Sequence, residues 1–235
     1  MCHLASSYLL QGLNVLYITL EMAEERIAER IDANLLDVTM EDLHDMPQQL
    51  YEGKITKLRE KTQGQLVIKE YPTASAHSGH FKSLMNELAL KKSFRPDVIF
   101  IDYLNICASS RFKGGNISSY FYVKAIAEEL RGLAVEFDVP IFSATQTTRT
   151  GYVSTDIGLE DTSESFGLPA TADFMFALIS NEELEALGQM KVKQLKNRYN
   201  DPSINRAFII GVDRAKMRLY DVQQKAGEIV AVSYT

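Results

Sequence analysis

Tryptophan is absent from this chain, and only two cysteines, Cys2 and Cys107, occur in its 235 residues. They stand far apart and form no CxxC or Cys/His spacing, which excludes a disulfide framework and a zinc site of that type; both are expected to be reduced thiols. The four histidines, His3, His44, His77 and His80, fit no zinc pattern either. No apolar run approaches the about 20 residues that span a bilayer, and the first residues lack a basic start followed by a small-residue cleavage pattern. The expectation is a soluble, cytoplasmic protein that does not enter a membrane. Net positive charge is lacking too: the formal balance is -6. A protein that coats nucleic acid over a whole face needs clustered Lys and Arg, so any nucleic-acid contact here must be local.

What is present is alternation. With 46% hydrophobic positions the chain can bury one sizeable core. Strand-like runs alternate with helical periodicity, which predicts an α/β fold with a mostly parallel sheet covered by helices on both faces. Met1 to Gln11 reads as the tail of a helix stopped at Gly12, and a chain that opens inside a helix looks truncated. Strands are expected at Asn14 to Leu20, Gln65 to Lys69, Asp97 to Ile101, Val139 to Thr145 and Asp173 to Ile179. Met190 to Lys196, Arg206 to Val212 and Met217 to Val222 read as an antiparallel finish. Helices are expected over Met22 to Leu36, Leu50 to Lys61, His77 to Lys92 and Tyr120 to Phe137. Two polar stretches, Ser109 to Ser119 and Thr147 to Ser165, interrupt the pattern. The organisation expected is one core over residues 1–222 and a tail over 223–235.

Chemistry is expected where the buried strands end. In an open parallel sheet the ligand crevice lies at the carboxyl ends of the strands. Three apolar runs terminate there in polar residues: Glu21 after NVLYITL, Asp102 after VIFI, and Gln146 after IFSAT. Each alone is weak evidence, because a polar residue after a strand is more often a helix cap or a solvated loop residue. An acid, an acid and an amide together suit phosphoryl transfer from a nucleotide, which is mostly positioning and electrostatics. In that reading Asp102 holds Mg²⁺ through water, Glu21 orients or deprotonates the attacking water, and Gln146 senses the γ-phosphate.

Several runs resemble one family. Leu20-Glu21-Met22 followed by a helix with Arg26 and Arg30, Asp102-Tyr103-Leu104, Ile126 to Gln146 and Lys196-Asn197-Arg198 resemble the motifs of DnaB-type ring-shaped replicative DNA helicases. Glu21 to Glu24 and Leu168 to Met175 resemble runs of the tailed-phage members. The resemblance extends from Leu4 to about Val222 and implies a RecA-like ATPase core that uses ATP and Mg²⁺, with Asp102 and Tyr103 at the nucleotide. It implies that Arg198 is an arginine finger for the neighbouring subunit's nucleotide, with Lys196 beside it, in a homohexameric ring. The two polar stretches correspond to loops that hold single-stranded DNA in the channel. Arg111 and Lys113 in the first, with Arg149, Glu164 and Ser165 in the second, are the DNA-contacting residues implied. Ser163 and Phe166 depart from the Arg and Gly usual around that Glu-Ser pair. Primase and a helicase loader are the implied further partners, and a phage-encoded member would act in the host cytoplasm.

One family element is missing: no Gly-x-x-x-x-Gly-Lys-Ser/Thr occurs. Gly53-Lys54 is followed by Ile55 inside an expected helix and does not replace it. The chain is therefore expected to be a fragment that hydrolyses ATP negligibly by itself. Two other readings stay open at this point, a recombinase-like ATPase of the same architecture and a non-catalytic interaction module.

Overall fold

The computed structural model describes residues 1–112, 117–147, 158–159, 167–201 and 203–222. Four parallel strands, β1 (Val15–Thr19), β2 (Leu66–Glu70), β3 (Val98–Asp102) and β4 (Ile141–Ser143), form a sheet in the order β2-β1-β3-β4. All of β1 is buried, as are the first four residues of β3, which is why both read as unbroken apolar runs rather than as alternation.

Side chains of these strands divide between two cores. Leu16, Ile18, Ile99 and Ile101 face helices α5 (Ser78–Lys92) and α6 (Ser119–Phe137), packing with Phe81, Met85, Ile126, Leu130 and Leu133. Val15, Tyr17, Val98 and Phe100 face α1 (Cys2–Leu10) and α2 (Glu24–Leu36), packing with Ala5, Leu9, Ile27 and Ile31. Helices thus cover both faces of the parallel sheet, as the sequence predicts.

The surrounding turns bring the chain close to itself. Gly64, between α4 (Gln48–Lys61) and β2, passes so near the β1 approach that an added Cβ would stand 2.4 Å from the Leu13 carbonyl oxygen. Backbone cannot swing aside as a long side chain can. Gly64→Ala is expected to lower unfolding free energy by about 1–3 kcal/mol, the usual range for overpacking, read as a lower urea midpoint at unchanged slope.

The later strands, β5 (Phe174–Ile179), β6 (Gln189–Asn197), β7 (Ala207–Asp213) and β8 (Arg218–Asp221), are antiparallel in the order β5-β6-β7-β8. They pair in a sheet of their own, not along β4. Two anchors tie it to the parallel layer. At its start, Leu168 of helix α7 (Gly167–Thr171) joins the α6-side core, and Arg131 of α6 pairs with Asp173 at 3.2 Å. At the β7–β8 turn, Asn34 donates to the Met217 carbonyl at 2.7 Å, and Asp37 accepts from Lys216 at 3.1 Å and Arg218 at 2.7 Å. These bonds from Lys216 and Arg218 hold the Asp37 carboxyl below the usual carboxylate range.

Three five-residue helices were not expected: α3 (Met40–His44), α7, and α8 (Glu182–Ala186). β4 also stops at Ser143, short of the expected Thr145, because Ala144 turns its carbonyl to the Leu104 amide at 3.2 Å.

Candidate nucleotide site

The carboxyl ends of β1, β2 and β3 are level: Thr19 lies opposite Glu70 on one side and Asp102 on the other. Just beyond them the Leu20 amide bonds the Asp102 carbonyl at 2.9 Å, so the two strand ends leave the sheet together. Thr19 then shapes the exit from β1. Its buried hydroxyl donates to the Met22 carbonyl at 2.8 Å and accepts from the Met22 amide at 3.1 Å, closing a turn with Glu21 at its tip. Thr73 pins the same turn from the other side through the Leu20 carbonyl at 2.7 Å. Glu21 is exposed on this fixed backbone, in position to meet a ligand.

Asp102 is half-buried at the end of β3. Its Oδ2 accepts a hydrogen bond from the hydroxyl of Tyr17 at 2.7 Å, and the thiol of Cys2 lies 3.9 Å from that hydroxyl. Burial, with Cys2 and Asp102 nearby, pushes Tyr17 ionisation far above its ordinary value, so it stays a neutral donor. That bond orients the carboxylate and leaves Oδ1 for another partner. Tyr17→Phe removes a donor to a charged group, which is worth about 1.5–3 kcal/mol. A loss of that size in chemical denaturation, with the fold retained by circular dichroism, is the expected result.

Gln146 meets the segment after Asp102: its Nε2 donates to the Tyr103 hydroxyl at 2.9 Å. Beside this contact two buried oxygens, Asn105 Oδ1 and Thr145 Oγ1, have no hydrogen-bond partner. Orphaned buried oxygens are uncommon, and these two flank Tyr103 and Gln146 in sequence. The donor set fits a small hard cation that keeps much of its water. Mg²⁺ is commonly held by one or two carboxylates plus substrate phosphates, not by an all-protein cage. Asp102 supplies such a carboxylate, and no cluster of three His, Cys, Asp or Glu side chains occurs among the described residues.

Lys196 and Arg198 lie together at the end of β6 and its exit, but are bonded to α7 and to Asp173 just after it, not to the crevice residues. Lys196 donates to the carbonyls of Pro169 at 2.5 Å and Ala170 at 3.2 Å, while Arg198 bonds Asp173 at 2.6 Å and the Ala170 carbonyl at 3.1 Å. Burial and the neighbouring Arg198 lower the Lys196 pKa. Arg111 pairs with Glu128 at 2.5 Å. Lys113, Arg149, Glu164 and Ser165 lie outside the described residues. Sequence reasoning missed Tyr17, Thr19, Asn105 and Thr145. Tyr17 and Thr19 read as ordinary members of a buried strand, although a polar atom in such a strand is itself a signal.

The parallel sheet covered by helices on both faces, followed by the antiparallel sheet, defines a RecA-like fold. Residues 1–217 match the model of the DnaB-like helicase C-terminal domain, and the chain belongs to that family. It is 48% identical over 227 residues to the DnaB-like replicative helicase of Enterobacteria phage T4, covering 95% of this chain and 48% of the phage protein. It is 33% identical over 138 residues to a probable plasmid replicative DNA helicase of Chlamydia trachomatis, covering 57% of this chain and 28% of that one. The chain thus spans about half the length of the phage relative. Among solved structures, a DnaB-like replicative helicase described with its primase interactions superposes with a TM-score of 0.74 at 16% identity, over 94% of this chain and 54% of that one. A second solved structure, of an ATPase domain, superposes with a TM-score of 0.73 at 16% identity, over 93% of this chain and 78% of that one. Identities this low bear on the fold alone.

Proposed function

We propose that this chain is the motor portion of a replicative DNA helicase, which couples ATP hydrolysis to translocation on single-stranded DNA and to duplex unwinding. The observation that carries the reading is the convergence of Glu21, Asp102 and Gln146 on one sheet end, with Glu21 on a turn pinned by Thr19 and Thr73 and Asp102 oriented by Tyr17. Mg²⁺, when bound with the nucleotide, neutralises charge on the phosphate oxygens. Asp102 and Tyr103 line the nucleotide, Asp102 holding the hydrated cation. Glu21 takes the proton of the attacking water, and Gln146 passes the state of the γ-phosphate through Tyr103 to the adjoining polar stretch. Arg198, with Lys196, stabilises transition-state charge on the nucleotide of the neighbouring subunit in a homohexameric ring. Arg111, Lys113, Arg149, Glu164 and Ser165 contact the single strand.

A chain without a phosphate loop lacks the backbone amides and lysine that cradle the phosphates, so it hydrolyses ATP negligibly by itself. The whole machine works in the cytoplasm, in that of the host if phage-encoded, with primase and a helicase loader as partners. No described helix is long and apolar enough to cross a membrane. The test is strand displacement on a forked duplex by the protein carrying a phosphate loop. ATP-dependent displacement supports the motor. Tight partner binding without displacement or DNA-stimulated hydrolysis favours an interaction module.

A further inference from the structure

The carboxylate of Glu129, in the middle of α6, is the most heavily hydrogen-bonded side chain outside the nucleotide crevice among the described residues. Its Oε1 accepts from the Ser109 hydroxyl at 2.6 Å and the Arg111 amide at 3.4 Å. Its Oε2 accepts from the Ser110 amide at 3.0 Å, the Ser110 hydroxyl at 2.8 Å and the Ser78 hydroxyl at 2.8 Å. The donors come from two separate places, the start of α5 and the segment after β3. Tyr122, two turns earlier on α6, accepts from the Ser109 amide at 3.1 Å. Burial raises the Glu129 pKa, but the bonds from Ser109, Ser110 and Ser78 outweigh it and hold the group below the ordinary carboxylate range.

The placement of this cluster is informative. The chain running from Asp102 to Ser109 is short and pinned throughout: Cys107 bonds back to Leu104 at 3.0 Å, Ile106 accepts from Ala74 at 2.9 Å, and Ala108 donates to Ala76 at 2.7 Å. Glu129 and Tyr122 hold that path at Ser109 to Arg111, and α6 itself begins at Ser119. Ser109 to Arg111 on one side and Ser119 on the other are therefore both tied to α6.

We propose that Glu129 is the positioning residue of this DNA-contacting loop, fixing where it leaves the Asp102 segment and thereby how firmly Arg111 and its neighbours hold a single strand. The proposal rests on reading 109–119 as a DNA-gripping stretch. A carboxylate suits the task because it accepts only, and all five groups aimed at it donate. An amide in its place turns one acceptor into a donor facing N–H groups.

The test uses the 235-residue chain, Glu129→Gln, and a Ser109→Ala/Ser110→Ala double variant that keeps the carboxylate but removes two hydroxyl donors. Amide hydrogen exchange reads the base of the loop, and fluorescence anisotropy with labelled oligothymidylate reads the grip. In both variants the Ser110 and Arg111 amides are expected to exchange about tenfold faster or more, and the Kd for the oligonucleotide to rise about tenfold, while amides in the β3 core keep their wild-type rates. Unchanged exchange at Ser110 overturns the proposal, as does faster exchange with wild-type DNA affinity. Glu128→Gln, which removes the ion pairs of Glu128 with Arg111 and Lys124 but none of the bonds to Glu129, is expected to leave the Ser110 amide slow. Equal acceleration there would mean that loss of charge on α6 is the cause, and would also overturn it. Failure of the wild-type chain to bind the oligonucleotide sinks the DNA-loop reading itself, and is told apart because it appears before any substitution.

Discussion

Glu21→Gln is expected to lower ATP turnover by about 10²–10⁴-fold in the protein carrying a phosphate loop, the range for loss of a general base. Nucleotide affinity should change little, because the amide keeps the size and position of the carboxylate while losing its basicity. The geometry makes the test clean. Glu21 takes no part in the sheet, and the turn that presents it is closed by Thr19 and Thr73. Thermal stability should therefore match the wild type. Initial rates under saturating Mg-ATP and single-stranded DNA, beside binding of a non-hydrolysed analogue, check both halves. A variant with near wild-type turnover would remove Glu21 from the chemistry and reduce it to an exposed residue at the start of α2.

Arg198→Ala separates two readings by magnitude. As a local ion pair, Arg198 with Asp173 is 40% and 31% exposed, and pairs this exposed contribute about 0–1 kcal/mol. As a finger acting on the next subunit's nucleotide, the guanidinium is worth about 10³–10⁵ in turnover. The expected outcome is the large catalytic loss with a small stability change. Acting across a boundary has a further signature: mixing Arg198→Ala subunits with Glu21→Gln subunits should restore part of the turnover, because some boundaries then combine an intact glutamate with an intact arginine. Mixtures no more active than the sum of the two variants would place the arginine in its own subunit's structure. The bonds from Arg198 to Asp173 and the Ala170 carbonyl would have to be exchanged for phosphate contacts.

The strand ends were legible because β1 and the first four residues of β3 are buried and read as near-continuous apolar runs, each followed by an acidic residue. Glu21 and Asp102 could be read directly for that reason. Gln146 lies three residues beyond the end of β4, not directly at a buried strand end as expected, because β4 stops at Ser143. Its contact with Tyr103 depends on the turn after Asp102, which no periodicity encodes. The five-residue helices carry too few turns for a repeating apolar face. Their caps were the available signal, with Thr39 accepting from the Asp42 amide and Asn181 from the Leu184 amide. Separation of the late strands into their own sheet was not legible, since alternation fixes which residues share a face but not which strand edges meet. Glu129 escaped notice for a related reason. An acidic residue on a charged helix reads as solvated, and its donors, Ser78, Ser109 and Ser110, lie 19 to 51 positions away.

The most direct test of the motor assignment is paired ATP turnover with single-stranded DNA, comparing these 235 residues with a version extended upstream by a family-type phosphate loop. The account predicts negligible hydrolysis by the short chain, and DNA-stimulated hydrolysis by the extended one that Glu21→Gln removes. An extended protein that binds Mg-ATP yet stays inert with DNA present would contradict it, as would turnover by the short chain alone.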